Sequence, residues 1–389
     1  MNYTQRPKSR RSSGYKAPKA QKSEKDEKNE AKADEKPPRK KQSFFAKARN
    51  AILPVKGDPP TEAVRKIIFD IAVIALIVTG GSLLYDVIDR GVQTAIVDKQ
   101  VEALYKPSDI TGEIQLSDVN LSEAEKNDVL EKAPEIMPSF MELYAKNDDI
   151  IGWLTLGEKD NYIVNHPVMQ AEDNDYYLER NFNKETTKSG ALFADFRNIF
   201  TPSEISGNTV IYGHNIWDGT MFAKLTRYYD ARIHNEYPNR LDFYKKYPTI
   251  TFNTLYEESQ WKVFACVLFN TDDKNGEVYP YTQVHEFDDK NSFNSFILDI
   301  MDRSVLWTDV DLTYGDSILT LSTCHYPYGD SIDTRCVVFA RKVRDGESAE
   351  VDVSKAVTNN SPLKFTYQYK VEGGSWEGRK WDTSKLLSY

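Results

Sequence analysis

Ile318-Leu-Thr-Leu-Ser-Thr-Cys324 is a run of β-branched residues and leucine that ends on a cysteine. Eleven residues after that cysteine comes Arg335, in Thr334-Arg-Cys-Val-Val-Phe-Ala-Arg341. Both runs have the composition of strands. Between them His325-Tyr-Pro-Tyr-Gly-Asp-Ser-Ile-Asp333 carries Pro327 and Gly329, which stop a strand and turn the chain back at the surface. The two strands are therefore expected side by side, with Cys324 and Arg335 near one another at the same end of a sheet.

A thiol attacks a carbonyl only as thiolate, and a fixed cation beside it stabilises the thiolate or the oxyanion formed on attack. Alone this signal is weak, because a cysteine in a strand is more often a small buried hydrophobe. Upstream, Asn208-Thr-Val-Ile-Tyr-Gly-His214-Asn215 is another apolar strand, and it delivers an imidazole just past a glycine. A cysteine, a histidine and an arginine at three strand ends supply a nucleophile, a proton carrier and a charge stabiliser.

These blocks resemble the sortase signature: Thr320-Leu-Ser-Thr-Cys324, the Arg335 strand and Tyr212-Gly-His214. Asn174-Asp-Tyr-Tyr-Leu178 and Gly190-Ala-Leu-Phe-Ala-Asp-Phe-Arg197 are similar to class B sortases in particular, and the likeness runs from about residue 140 to 344. It implies a mainly β domain, a closed barrel of about eight strands with peripheral helices. It also implies a cysteine transpeptidase without a cofactor. Cys324 would attack a C-terminal sorting motif of the Asn-Pro-x-Thr kind in a secreted protein, forming a thioester. His214 would move the proton, Arg335 would hold the oxyanion or the substrate backbone, and the acceptor would be an amine of a peptidoglycan precursor or a pilin lysine. By motif position, Asn174, Leu178, Tyr212, Tyr279 and Ser322 are candidate groove residues. Several class B relatives carry acidic residues just after the cysteine, where this chain has His325-Tyr326. A cysteine hydrolase that releases the acyl group to water, and an anchored binding module without a reactive thiol, are the alternatives.

Residues 1–66 hold 19 Lys plus Arg against 8 Asp plus Glu, with little to bury, and read as a disordered basic tail. The remaining chain holds 31 basic and 51 acidic residues, so the overall charge of −9 conceals two opposed parts. Nothing else in the chain resembles a nucleic-acid module, so the tail is assigned to anionic lipid rather than to nucleic acid. From Ile67 to Ile88 the chain is apolar, with few charges. As a helix at 1.5 Å per residue it reaches roughly 33 Å, enough to cross a bilayer core of about 30 Å. The basic side precedes the span, which puts the N-terminus in the cytoplasm and the acidic domain outside. The span begins too far from the N-terminus for a cleaved signal peptide, and no Ala-x-Ala motif follows it.

Residues 89–139 read as a helical arm, with a capping box at Ser122-Glu-Ala-Glu125. Short strands separated by turns fill 140–344. The exception lies between Phe287 and Leu306, where Phe293, Phe296, Ile297, Ile300 and Met301 mark an amphipathic helix inserted before the cysteine strand. The five histidines, His166, His214, His234, His285 and His325, show no zinc spacing, and there is no Cys-x-x-Cys. His325 competes with His214 as the base, but neighbours along a strand face opposite sides, which favours His214. His325 is then left as a substrate contact. Cys266 and Cys336 sit in apolar strands, either as inert thiols or, if those strands adjoin, as a disulfide. The last 45 residues, 345–389, lie beyond the resemblance. Within them Lys364-Phe-Thr-Tyr-Gln-Tyr-Lys370 alternates as a strand would.

Overall fold

The computed structural model describes residues 49–107, 112, 114–159, 161–230 and 237–386. Most of the basic tail and His234 lie outside the described residues. Helix α1 spans Pro60–Glu102. It starts before Ile67 because Pro60 suits a first helical turn, where its missing N–H has no partner to lose. Within it Pro60–Tyr85 is long and apolar enough to cross a membrane, its most apolar 18 residues having a mean hydropathy of 2.4 and none of them buried. Lys66, at the end of the basic stretch, donates to Asp58 at 2.8 Å and to the Asn50 carbonyl at 2.7 Å.

The last turns of α1 belong to the compact unit that runs from Thr79 onward. Val97 and Val101 are buried together with residues of α2 (Glu123–Lys132), α3 (Pro138–Tyr144) and the outer face of the barrel. Ser122 caps α2 by accepting from the Glu125 amide while the Glu125 carboxylate accepts from the Ser122 amide, the reciprocal box that the sequence spells. Tyr105, just past α1, stacks on Trp153 with ring centroids 4.4 Å apart. Its hydroxyl accepts from the Asn253 amide at 2.8 Å. The arm is thus a docked layer rather than a spacer.

The domain is a closed ring of eight strands. In chain order these are β1 (Ile150–Glu158), β2 (Asn161–Met169), β3 (Leu192–Ala194), β4 (Asn208–Tyr212), β5 (Thr249–Thr254), β6 (Gln260–Asn270), β8 (Ile318–Cys324) and β9 (Thr334–Lys342). Around the ring the order is β1-β2-β3-β4-β8-β9-β6-β5. Closure leaves this sheet no free edge. A small separate ladder pairs β7 (Leu306–Trp307) with β10 (Val357–Thr358). Short helix α4 (Arg240–Lys246) precedes β5.

Helix α5 (Lys290–Arg303) is the inserted helix, and Phe293, Phe296, Ile297, Ile300 and Met301 are its buried face. They meet Phe264, Val267, Phe269 and Phe339 on the outside of β6 and β9. Cys266 and Cys336 face the lumen of the ring on those adjacent strands, their sulfurs 3.8 Å apart, and both are free thiols. Burial pushes the Cys266 thiol well above its ordinary range, as expected of an inert pair.

The strand expected at 364–370 is instead helix α6 (Thr366–Glu372). A strand there would need an edge to pair with, and the closed ring offers none. Phe365 and Gln368 are buried, a helical rather than a two-residue spacing. We expect Tyr105→Ala to cost about 2–3 kcal/mol through the lost stack and hydrogen bond, measured by urea unfolding of the part from about residue 90. A cost near zero would mean that the arm is not docked in solution.

Candidate active site

Strands β8 and β9 run antiparallel with Cys324 directly opposite Arg335. Alternation then sorts the side chains. Leu319, Leu321, Cys336, Val338 and Ala340 point into the lumen cluster, whereas Ile318, Val337 and Phe339 join the outer cluster under α5. Cys324 has the parity of Ile318, and Arg335 that of Val337, so both stand on the outer face at the end of the ladder. Cys336 differs from Cys324 in its face rather than in its local sequence.

Strand β4 lies parallel to β8 on the other side, with Tyr212 opposite Ser322. Gly213 continues the ladder by donating to the Ser322 carbonyl at 3.2 Å. A Cβ at Gly213 would come within 2.5 Å of Leu192 and 2.7 Å of Phe222, so only glycine lets the chain pass here and present the next residue. That residue is His214. Its Nε2 lies 2.8 Å from the Leu178 carbonyl. A carbonyl only accepts, so Nε2 carries the hydrogen and Nδ1 is left to take and give a proton. Asn215 donates to the Cys324 carbonyl at 2.8 Å, tying the histidine loop to the cysteine backbone.

Cys324, His214 and Arg335 line one cleft of about 300 Å³, together with Asn174, Leu178, Tyr212 and Ser322. Tyr279 is not among the lining residues. Its ring stacks on Phe269 at 5.5 Å with the Arg303 guanidinium over it, because the turn after it carries Tyr281 inward instead. The Tyr281 hydroxyl lies 2.8 Å from the Ser322 hydroxyl. Neither tyrosine of this loop lines the cleft, but Tyr281 reaches it through Ser322. Arg335 uses Nη1 to bond Asp333 and the Thr334 carbonyl, which leaves Nε and Nη2 as donors. Burial disfavours its charge, but Asp333 and the Cys324 sulfur more than offset this and hold it protonated.

Asp195 is the residue that sequence reasoning missed. It is fully buried and accepts from Arg197 at 2.7 Å, from the Tyr212 hydroxyl at 2.8 Å and from the Asn174 amide at 3.0 Å. Burial alone would raise its pKa, yet these donors bring it down to about 2, so it is a fixed anion. Arg197 also reaches the Thr282 carbonyl and the Gln283 side chain, linking Asp195 to the turn that bears Tyr281. The only sequence signal was an acid and an arginine two apart inside an apolar block.

His325 is buried and faces the lumen side, where its ring meets Tyr229 edge to face at 5.7 Å. It does not line the cleft in which a substrate contact was expected of it. Tyr326 takes the place beside the sulfur. Its phenol, hydrogen-bonded to the Cys324 thiol, is pushed up to about 12 first by that bond and then by burial, and so stays a donor at neutral pH. Desolvation lowers His325 to about 4 from 6.5, and its Nε2 has no hydrogen-bond partner among the described residues. The unfolded chain therefore binds a proton that the folded one refuses, and stability falls as pH drops through this window. We expect His325→Phe to remove up to about 3 kcal/mol of that loss between pH 6.5 and 4, measured by urea unfolding against pH. An unchanged slope would show that His325 protonates freely in the fold.

A family model described as Sortase domain matches residues 161–343. Sortase B of Listeria monocytogenes is 32% identical over 190 residues, covering 49% of this chain and 68% of that protein. Sortase B of Staphylococcus aureus is 30% identical over 253 residues, covering 65% of this chain and 89% of that protein. The crystal structure of Staphylococcus aureus sortase B complexed with MTSET shares 30% identity and covers 57% of this chain and 84% of its own, with a TM-score of 0.44. With relatives of this identity matched over more than two thirds of their length, the chain belongs to the sortase family, in its class B branch, and is a cysteine transpeptidase.

Proposed function

We propose that Cys324 is the nucleophile, His214 the proton carrier and Arg335 the oxyanion donor of a membrane-anchored sortase acting outside the cell. The observation that carries this is the pairing of Cys324 with Arg335 at the mouth of a cleft that His214 also lines. A sorting motif of the Asn-Pro-x-Thr kind lies in the cleft, against Asn174, Leu178, Tyr212 and Ser322. The Cys324 thiolate attacks the threonine carbonyl, and the C–N bond breaks as His214 gives its proton to the leaving amine. The thioester is then attacked by an amine of a peptidoglycan precursor or of a pilin lysine. His214 takes the proton from that amine, and the thiolate leaves.

The roles predict different failures. Cys324→Ala should abolish acylation and peptide cleavage, whereas Cys266→Ala and Cys336→Ala, lumen-facing and buried, should keep both. Arg335→Lys should slow acylation roughly a hundredfold, because a point charge lacks the fork that aims two donors. His214→Ala should slow both half-reactions and remove one limb of the bell-shaped pH profile. Single-turnover acylation of the soluble part with sorting-motif peptides, against pH, measures all of these. A Cys324→Ala enzyme that still cleaves, or an Arg335→Lys enzyme at wild-type rate, would overturn the assignment. Added amine should convert cleavage into ligation; release to water alone would make the chain a hydrolase.

The apolar segment Pro60–Tyr85, with the basic residues before it, supports an anchor whose N-terminus is cytoplasmic. In intact cells external protease should digest the domain and spare an N-terminal tag. Loss of the tag would reverse the topology.

A further inference from the structure

Helix α6 lies beyond the residues that the family model matches, yet it touches the loop that follows Cys324 and the loop between β6 and α5. At its C-terminal end Glu372 accepts from the hydroxyl of Tyr328, in the loop that follows Cys324. The Tyr328 ring packs edge-on against Phe365 and Tyr367, with centroids 6.2 and 6.1 Å away. In its middle, buried Gln368 donates to the Tyr229 hydroxyl at 3.1 Å, and Tyr229 is the ring that holds His325, the residue after the nucleophile. At its N-terminal end Thr366 abuts Gly276, in the loop between β6 and α5. A Cβ on Gly276 would fall 2.6 Å from the Thr366 amide, and Gly276 has a φ of +125° that only glycine adopts without strain.

The helix is itself held down. Phe365 enters the lumen cluster, and farther along Arg379 grips Asp302 of α5 at 2.8 Å while Trp381 is buried in the outer cluster. A loop that begins at the nucleophile is thereby braced by an element anchored elsewhere on the barrel.

We propose that α6 is a brace for the active-site loops, with Glu372 and Tyr328 as positioning residues that hold residues 325–333 and, through them, Cys324. This rests on Cys324 being the nucleophile. Displacing a reacting group by about 1 Å can cost on the order of a hundredfold in rate. Loss of one charge-assisted hydrogen bond to a partly exposed loop should act more mildly, on the order of three- to tenfold.

The test compares Tyr328→Phe, which keeps the ring and removes the hydroxyl, with Glu372→Ala, Glu372→Gln and the double variant Tyr328→Phe/Glu372→Ala. Single-turnover acylation by a sorting-motif peptide and amide hydrogen exchange are measured on each, with thermal unfolding as the control for folding. We expect Tyr328→Phe and Glu372→Ala each to slow acylation three- to tenfold and to speed exchange within 325–333. The double variant should be no slower than Glu372→Ala, and Glu372→Gln, which keeps an acceptor oxygen, should stay within twofold of wild type. Wild-type acylation in both single variants, whatever the exchange does, overturns the proposal. Glu372 also pairs with Lys364 at 2.9 Å, a contact that Glu372→Ala loses and Tyr328→Phe keeps. A double variant clearly slower than Glu372→Ala alone therefore also overturns the proposal, because the bond shared with Tyr328 is already gone in that single variant. If the wild-type protein takes an acyl group from no peptide, the proposed function has failed instead. Alkylation of Cys324 by iodoacetamide then supplies the rate, and the same comparison among variants decides the brace.

Discussion

Antiparallel pairing of β8 with β9 is the constraint on which the rest of the site depends. A ladder places opposed residues within about 5.5 Å of one another and aims their side chains at the same face. Cys324 and Arg335 are the last such pair before the chain leaves the sheet. Strong backbone hydrogen bonds therefore hold a thiol and a guanidinium together, without either side chain having to find the other. The loop between them is long enough to vary without disturbing the pair, and Asp333 within it fixes the guanidinium on its outer side.

Closure of the ring gives that pairing its rigidity and sets the surroundings of each cysteine. Cys266 and Cys336 lie inside, among Leu268, Val338 and Ala340, where a thiolate would be stranded without water. Cys324 lies outside at a strand end. The same alternation sends His325 inward to Tyr229 and leaves His214, delivered by β4 on the other side of β8, as the imidazole of the cleft. Face, rather than sequence distance from Cys324, separates the two histidines.

Buried Asp195 does for the lining of the cleft what the ladder does for Cys324 and Arg335. One carboxylate takes hydrogen bonds from Asn174, Tyr212 and Arg197, and Arg197 extends the web to the turn that carries Tyr281. An ion so fully bonded remains charged despite burial, and its partners are held in single orientations. Because the Tyr212 hydroxyl donates to Asp195, only its acceptor lone pairs remain for a substrate. The Asn174 carbonyl accepts from the Phe196 amide, so the orientation of its side-chain amide is set as well.

Local chemistry alone determined much of this protein. The strand character of 318–324 and 334–341, the apolar segment after a basic stretch, the capping box at Ser122 and the five-residue apolar stripe of α5 were all legible. Each depends on residues close together in the chain. Motif likeness singled out Cys324, His214 and Arg335, which the fold brings to one cleft, and alternation put His325 on the other face from Cys324. Tertiary structure decided what depends on neighbours far along the chain. Tyr281 rather than Tyr279 reaches Ser322 because a turn rotates the loop. Asp195 becomes a hub only when three segments converge on it. Residues 364–370 alternate as a strand but form a helix, since a closed ring leaves that sheet no edge to pair with. An isolated alternating stretch does not encode whether a partner strand will be free, and that is settled only when the whole barrel has formed.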